Sequence, residues 1–190
     1  MFERLLQWDQ NSFVYLNSLG SEKFDNFWVT VTEIKSWIPL FLLFLLLFVV
    51  KFPWKKALVQ ISLVSVLALF ITFLTDMVKN WIERPRPCND ENINSFIRIL
   101  KTPTDFSFFS GHASSSFAIT LLVYLLLREK AKWTWVFFLW PLLFSYSRIY
   151  VGVHFPLDIV VGAVVGTISA LLFHKMYLKI NVLGTRSGRL

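Results

Sequence analysis

Two histidines and an aspartate lie at positions in the sequence that are typical of catalytic residues acting on an anionic substrate. His154 and Asp158 are four residues apart at the start of an apolar stretch, and this spacing places two side chains on one face of a helix. An imidazole oriented by a carboxylate in this way is a candidate nucleophile. His112 follows Ser110 and Gly111 at the start of another apolar stretch. We therefore treat His154, Asp158 and His112 as candidate catalytic residues.

Three cations accompany these groups, namely Lys79, Arg86 and Arg148. Their charge suits a phosphate, because the guanidinium fork binds phosphate oxygens in pairs. Ser110 and Gly111 begin a predicted helix, where free N–H groups and the helix dipole attract an anion. These five residues predict a phosphate-binding site. One histidine could attack the phosphorus, and the other could protonate the leaving oxygen.

Each residue taken alone has a simpler explanation. Lys79 and Arg86 are of the type that anchors a helix end at a membrane surface, and Ser110 is a common helix cap. His154 alone fits a packing role, and Asp158 is a charge that a helix N-terminus favours. It is the combination of all these groups that favours the phosphate site.

The stretches that must position these residues are long and apolar. The chain has 190 residues, is 55% hydrophobic and has a mean hydropathy of +0.57, which is far more apolar than a soluble domain. Lipid-spanning β-barrels alternate apolar and polar residues, and these stretches do not. The sequence predicts an all-α, polytopic membrane helical bundle forming a single domain over 1–190. Five strong transmembrane helices are expected, at 37–52, 57–82, 110–127, 133–150 and 156–177.

The ends of the chain differ from this pattern. Residues 1–34 predict two short amphipathic helices at the membrane interface; a sixth span remains open there, although charged residues interrupt the apolar run. Residues 184–190 predict a polar, flexible tail.

Within the helices, Pro141 predicts a kink. Gly162, Gly166 and Ala170 recur every fourth residue, which indicates either close helix packing or chance.

Charge predicts the orientation of the bundle and excludes one class of partner. The net charge is +7, but the basic residues lie in short loops between apolar runs, so no nucleic-acid partner is expected. Most of them fall on one side, which the positive-inside rule makes cytoplasmic. The candidate site and loop 83–109 then face outward, to the periplasm or its equivalent.

Cys88 is the only cysteine, so no intrachain disulfide can form.

The spacing of the candidate residues resembles the three signature motifs of the type 2 phosphatidic acid phosphatase superfamily. The first motif is a lysine and, after six residues, Arg-Pro, found here as Lys79 and Arg86-Pro87. The second ends in Ser-Gly-His, found here as Ser110-Gly111-His112, with Phe109 in place of the motif's proline. The third joins Ser-Arg, His and Asp, found here as Ser147-Arg148, His154 and Asp158.

This resemblance implies a role for each motif residue. His154 is the expected nucleophile that forms a phosphohistidine, Asp158 orients it, and His112 protonates the leaving group and then activates water. The phosphate-binding residues are expected to be Lys79, Arg86, Ser110, Gly111 and Arg148. No metal and no cofactor are implied, because fixed cations neutralise the charge. Phe109 predicts a less rigid loop, or an apolar wall near a lipid tail.

The expected substrate is a membrane lipid phosphate reached at the outer face of a bacterial inner membrane. We rank undecaprenyl diphosphate first and lipid A close behind, with phosphatidylglycerophosphate and phosphatidic acid as further possibilities. Three loop cations, Arg84, Arg98 and Lys101, either contact a second phosphate or sugar or are solvated, and we favour solvated charges. A phosphate-lipid binder or transporter is the non-enzyme alternative, and vanadate-dependent haloperoxidase chemistry is a second enzyme alternative. The oligomeric state stays open.

Overall fold

A computed structural model describes residues 2–187, which fold into seven α-helices joined by loops and short 3-10 segments. This confirms the all-α prediction. The helices are α1 (Phe2–Ser18), α2 (Asp25–Val31), α3 (Ile38–Lys51), α4 (Trp54–Ile82), α5 (Gly111–Leu127), α6 (Leu139–Tyr150) and α7 (Pro156–Ser187). The predicted flexible tail, 184–190, overlaps the last turn of α7, and 188–190 lie outside the described residues.

Helix α5 lies at the centre of the bundle and contacts α3, α4, α6 and α7. Its apolar residues are buried on several sides, among them Ala118, Leu122 and Leu126. A helix that is apolar all round is expected in such a position. Aromatic residues of α3 and α6, including Phe44 and Trp140, complete the core around it.

Within residues 2–187, three segments are long and apolar enough to cross a membrane: Ile34–Lys51, Trp54–Asn89 and Pro156–Ile180. Helix α5 is a shorter apolar helix of 17 residues, about 25 Å long at the α-helical rise. The five predicted α-helical spans are therefore only partly confirmed. Large apolar side chains such as Leu46, Phe73 and Trp81 remain exposed, as expected for a lipid-facing surface.

The fourth predicted span, 133–150, is not one kinked helix. A 3-10 segment, Lys132–Phe138, comes first, and α6 begins at Leu139. Pro141 thus lies in the first turn of α6. Proline has no N–H and its ring clashes with the carbonyl four residues earlier, whereas first-turn N–H groups need no intrahelical acceptor. The helix therefore starts just before the proline.

Helices α5 and α7 pack closely through the small residues that recur along α7. A Cβ atom added to Gly162 would lie 2.6 Å from the Ser110 carbonyl oxygen, and one added to Gly166 would lie 2.2 Å from that of Ser114. Ala170 is fully buried in the same core. The four-residue spacing therefore reflects backbone contact between two helices, one of the two alternatives that the sequence leaves open.

The N-terminal segment forms α1 and α2, as predicted, but it is not only an interfacial anchor. The buried side of α1 carries Asp9, Phe13 and Asn17, all at most 1% exposed, while Trp8 and Tyr15 are exposed. Asn17 donates to the carbonyl oxygens of three residues in other segments and accepts from one backbone N–H. The helix is therefore fixed to the bundle by buried polar contacts.

Candidate active site

The site forms where four helix ends meet. α4 and α6 end there, and α5 and α7 begin there. The Ser110 N–H donates to the Asp158 carbonyl oxygen at 3.0 Å, which ties the start of α5 to the start of α7. Loop 83–109 covers this end of the bundle, and its Ser107 N–H donates to the Arg84 carbonyl oxygen at 2.8 Å.

His154, just before α7, and Asp158, in the first turn of α7, form a fully buried pair. His154 Nδ1 lies 3.4 Å from Asp158 Oδ2, and both side chains are at most 1% exposed. The same carboxylate oxygen accepts from the Phe155 N–H at 2.9 Å, as an acidic residue at the third helical position does when it caps the helix start. Ser107 Oγ also donates to it. One carboxylate thus caps α7 and orients the imidazole.

Arg86 fixes the other side of the imidazole. Its Nη1 lies 3.0 Å from His154 Nε2 and also donates to the Val153 carbonyl oxygen at 3.0 Å. Arginine has no acceptor, so Nε2 must accept and Nδ1 carries the proton. Burial, together with the positive charge of Arg86, lowers the pKa of His154 well below its ordinary value. Nε2 therefore keeps its lone pair at neutral pH, as a nucleophile requires.

Asp105, a loop residue, binds two of the three cations expected to hold phosphate. Its carboxylate accepts from Lys79 Nζ at 2.5 Å and from Arg86 Nη2 at 2.8 and 2.9 Å. Burial by itself raises the pKa of this carboxyl, but the hydrogen bonds from the two cations outweigh it and lower the pKa to about 2. The sequence gives no motif that identifies this residue.

A cavity of about 460 Å³ lies beside three of the remaining predicted residues. Lys79, Gly111 and His112 line it, and the His112 ring lies against Phe144 with 4.7 Å between ring centroids. The aromatic side chains of Trp37, Phe41 and Trp140 form its apolar walls. The cavity therefore joins one proposed catalytic side chain, His112, and one proposed phosphate-binding side chain, Lys79, to an apolar space between helices.

Arg148 and Ser110 occupy buried positions at the same end of the bundle. Arg148 Nη1 donates to Thr32 Oγ1 at 2.5 Å, while its Nε is buried without a hydrogen-bond partner among the described residues. Ser110 Oγ accepts from the Ala113 N–H at 3.3 Å and so caps α5. This contact leaves the hydroxyl proton of Ser110 available as a donor. Both residues can thus still donate to an anion.

Arg84 is a site residue that the sequence did not identify. Its Nη1 donates to Asp158 Oδ1 and its Nη2 to Asp9 Oδ2, each at 2.7 Å, and its guanidinium lies 4.1 Å from the centroid of the Phe155 ring. Asp9 also accepts from the Leu157 N–H at 2.8 Å. Arg84 therefore links the orienting carboxylate to the N-terminal helix.

The prediction of solvated loop charges is wrong for Arg84, and Arg98 and Lys101 also form ion pairs with carboxylates, the pair of Lys101 being the more exposed. Arg98 binds the Asp25 carboxylate at 2.6 and 2.7 Å, and Lys101 pairs with Glu33. Loop 83–109 lies against the N-terminal segment, and its cations meet the acidic residues there. Long-range ion pairs of this kind carry no periodic signal in the sequence.

Phe109, which replaces the proline of the second motif, is buried at the start of α5. Its side chain is 3% exposed, and the backbone of Ser110 beside it is held by Asp158. The loop is therefore fixed to the bundle by packing and a backbone hydrogen bond on either side of the Phe109–Ser110 bond. The neighbouring Phe108, rather than Phe109, lines a second cavity of about 610 Å³.

The chain is similar in sequence and in fold to membrane phosphatases of one superfamily. Residues 57–181 match the PAP2 superfamily. The chain is 32% identical over 182 residues to the lipid A 4'-phosphatase of Bacteroides thetaiotaomicron, covering 92% of this chain and 79% of that protein. It is 33% identical over 135 residues to the undecaprenyl-diphosphatase of Sulfolobus acidocaldarius, covering 69% and 58%. The crystal structure of a PAP2 type phosphatidylglycerolphosphate phosphatase from Bacillus subtilis has the same fold, with a TM-score of 0.73 at 19% identity over 93% of this chain and 88% of that one.

Proposed function

The chain belongs to the PAP2 superfamily, and from that premise we propose that it removes the 4'-phosphate of lipid A. As a member of this superfamily it is an integral membrane protein with helical spans and a hydrolase that acts on lipid phosphates. The observation that carries the choice of lipid is the extent of similarity: the lipid A 4'-phosphatase matches 92% of this chain, against 69% for the undecaprenyl-diphosphatase. This reverses the order expected from the sequence, which ranked undecaprenyl diphosphate first.

The charges around the site also favour a single phosphate. A diphosphate headgroup would bring a second charged phosphate that needs cations of its own. Arg84, Arg98 and Lys101 are the cations of loop 83–109 outside the motifs, and each is engaged by a carboxylate of another segment. Lys79 and Arg86 are also paired with a carboxylate, but that partner, Asp105, is 55% exposed and can be displaced. Together with Arg148 they can neutralise one phosphate, which suits a monoester such as the 4'-phosphate.

In the proposed first step, His154 Nε2 attacks the phosphorus. The N–P bond forms as the bond from phosphorus to the lipid oxygen breaks, and protonated His112 gives its proton to that oxygen. Asp158 stabilises the charge that develops on the His154 ring through Nδ1. Lys79, Arg86 and Arg148 balance the charge on the phosphoryl oxygens, which is why no metal is invoked.

In the second step, water hydrolyses the phosphohistidine. Neutral His112 takes a proton from the water as its oxygen attacks the phosphorus, and the N–P bond breaks. The electron pair returns to His154 Nε2, inorganic phosphate leaves, and His112 is protonated for the next cycle. We expect this reaction at the periplasmic surface of a bacterial inner membrane, where the lipid headgroup lies, because the positive-inside rule predicts that the site faces outward.

Phosphate release by the purified protein in detergent tests this proposal. The panel contains lipid A, undecaprenyl diphosphate, phosphatidylglycerophosphate and phosphatidic acid, with His154→Ala as the control for contaminating phosphatases. We expect lipid A to give the highest kcat/KM, mass spectrometry to locate the loss at the 4' position, and the variant to release no phosphate. A higher kcat/KM for undecaprenyl diphosphate would overturn the choice of lipid. Normal turnover by the variant would overturn the assignment of the nucleophile.

A further inference from the structure

Asp105 binds two of the cations that are proposed to hold the substrate phosphate. Its carboxylate lies between Lys79 Nζ, at 2.5 Å, and Arg86 Nη2, at 2.8 and 2.9 Å. Phosphate oxygens would accept charge-assisted hydrogen bonds from the same donors. A carboxylate and a phosphate therefore compete for one pair of cations.

The donors of Arg86 show that both anions cannot be bound there together. A guanidinium has five N–H groups. Nε donates to the Asp105 carbonyl oxygen, and Nη1 donates to Val153 and His154. Nη2 directs its N–H groups at the two carboxylate oxygens of Asp105. Every donor of Arg86 is therefore engaged, and a phosphate can reach this side chain only by displacing one acceptor.

The Asp105 carboxylate is the acceptor that can leave at least cost. Its side chain is 55% exposed, so water can solvate it once it turns away. The Val153 carbonyl and the His154 ring are buried, and losing Arg86 would leave them unpaired in the interior. The bond from Arg86 Nε to the Asp105 carbonyl oxygen, at 2.9 Å, can persist and hold the backbone in place.

We propose that Asp105 is a specificity-determining residue, a tethered anion that a substrate phosphate must displace from Lys79 and Arg86. The inference rests on the proposed phosphate site and is independent of the lipid that carries the phosphate. A terminal phosphate carries a charge of about −1.5 to −2 at neutral pH and can replace the single negative charge of the carboxylate with a net gain in attraction. A phosphodiester carries one negative charge and gains nothing by the exchange. Asp105 thereby selects terminal phosphates against diesters.

Direct binding of small anions tests this without any lipid substrate. The purified protein in detergent is titrated by calorimetry with inorganic phosphate and with dimethyl phosphate, a monoanionic diester. Asp105→Asn keeps the shape of the side chain and removes its charge, and Asp105→Ser is a second variant in case the first misfolds. Glu91→Gln, at an exposed carboxylate of the same loop, controls for the general loss of one negative charge.

We expect Asp105→Asn to bind phosphate about tenfold more tightly than the native protein. We expect its preference for phosphate over dimethyl phosphate to shrink severalfold, while Glu91→Gln behaves as the native protein does. Unchanged or weaker phosphate binding in both Asp105 variants would overturn the inference and make the residue a structural partner of the cations. An unchanged preference for phosphate over the diester would overturn its role in specificity. Failure of the lipid A assay would leave these outcomes untouched.

Discussion

Replacing Arg84 with methionine should damage the protein more than its place in a loop suggests. The side chain is 16% exposed and lies between Asp9 and Asp158, which are both fully buried. Arg84→Met keeps much of the apolar length but leaves the two carboxylates without their shared cation. Removing one partner from a buried ion pair costs about 3–5 kcal/mol, and we expect a loss of stability in this range.

The stability change can be measured through Cys88, the only cysteine in the chain, which is 7% exposed. A thiol-reactive fluorescent dye labels it only when the protein unfolds, so a thermal ramp in detergent reports the midpoint. Lys101→Met is the matched control, because it removes another cation of the same loop from a more exposed ion pair. Such a pair contributes about 0–1 kcal/mol, so its midpoint should move little.

Activity and a second substitution separate the role of Arg84 in the site from its role in folding. Without Arg84, Asp158 loses the hydrogen bond to its Oδ1 and orients His154 less firmly. At a temperature below the melting midpoint, where the variant is folded, we expect its kcat to be about 10–100-fold lower than that of the native protein. Adding Asp9→Asn to Arg84→Met removes one uncompensated charge and should recover part of the lost stability. Equal midpoints for Arg84→Met and Lys101→Met would refute the reasoning, as would an unchanged kcat.

Two further predictions concern the helix contact and the nucleophile. Gly166→Ala should lower the free energy of unfolding by about 1–3 kcal/mol, because the added Cβ would lie 2.2 Å from the Ser114 carbonyl oxygen. Val164→Leu, on the exposed side of the same helix, should shift the midpoint of thermal unfolding by no more than about 1 °C from that of the native protein. Equal shifts for Gly166→Ala and Val164→Leu would contradict the packing argument. His154, whose pKa burial and the charge of Arg86 lower, should titrate well below about 6.5 in histidine-labelled NMR spectra. Because the unfolded chain takes up that proton first, stability should fall as the pH drops below about 6.5, and a folded-state midpoint at or above this value would contradict the assignment.

The motif residues could be placed from the sequence because each lies beside a helix end. Apolar runs locate the ends of helices to within a few residues, and alternating directions through the bundle bring Lys79, Ser110, Arg148 and His154 to one face. The start of α4 differs from the prediction by three residues, and its end, Ile82, agrees. Helix ends therefore give the approximate positions of the site residues, and the structure adds the contacts between them.

The residues that complete the site could not be found in this way. Arg84 and Asp105 lie in loop 83–109, which has no repeating pattern, and their partners are up to 75 residues away in the chain. A charged loop residue looks the same in a sequence whether water or a buried carboxylate surrounds it. Only the path of the loop across the helix ends decides between these environments.

The same contacts bear on what the N-terminal segment does. The superfamily match begins at residue 57, yet two side chains before it bind residues of the site: Asp9 holds Arg84 and the Leu157 N–H, and Thr32 accepts from Arg148. Asp9 is fully buried and Thr32 is 2% exposed. A helix that only anchored the protein at the interface would have no need to bury a carboxylate, which is costly without a partner. The N-terminal helices therefore form part of the support for the proposed nucleophile and for Arg148, the proposed phosphate-binding arginine, and the site is larger than the region that its motifs define.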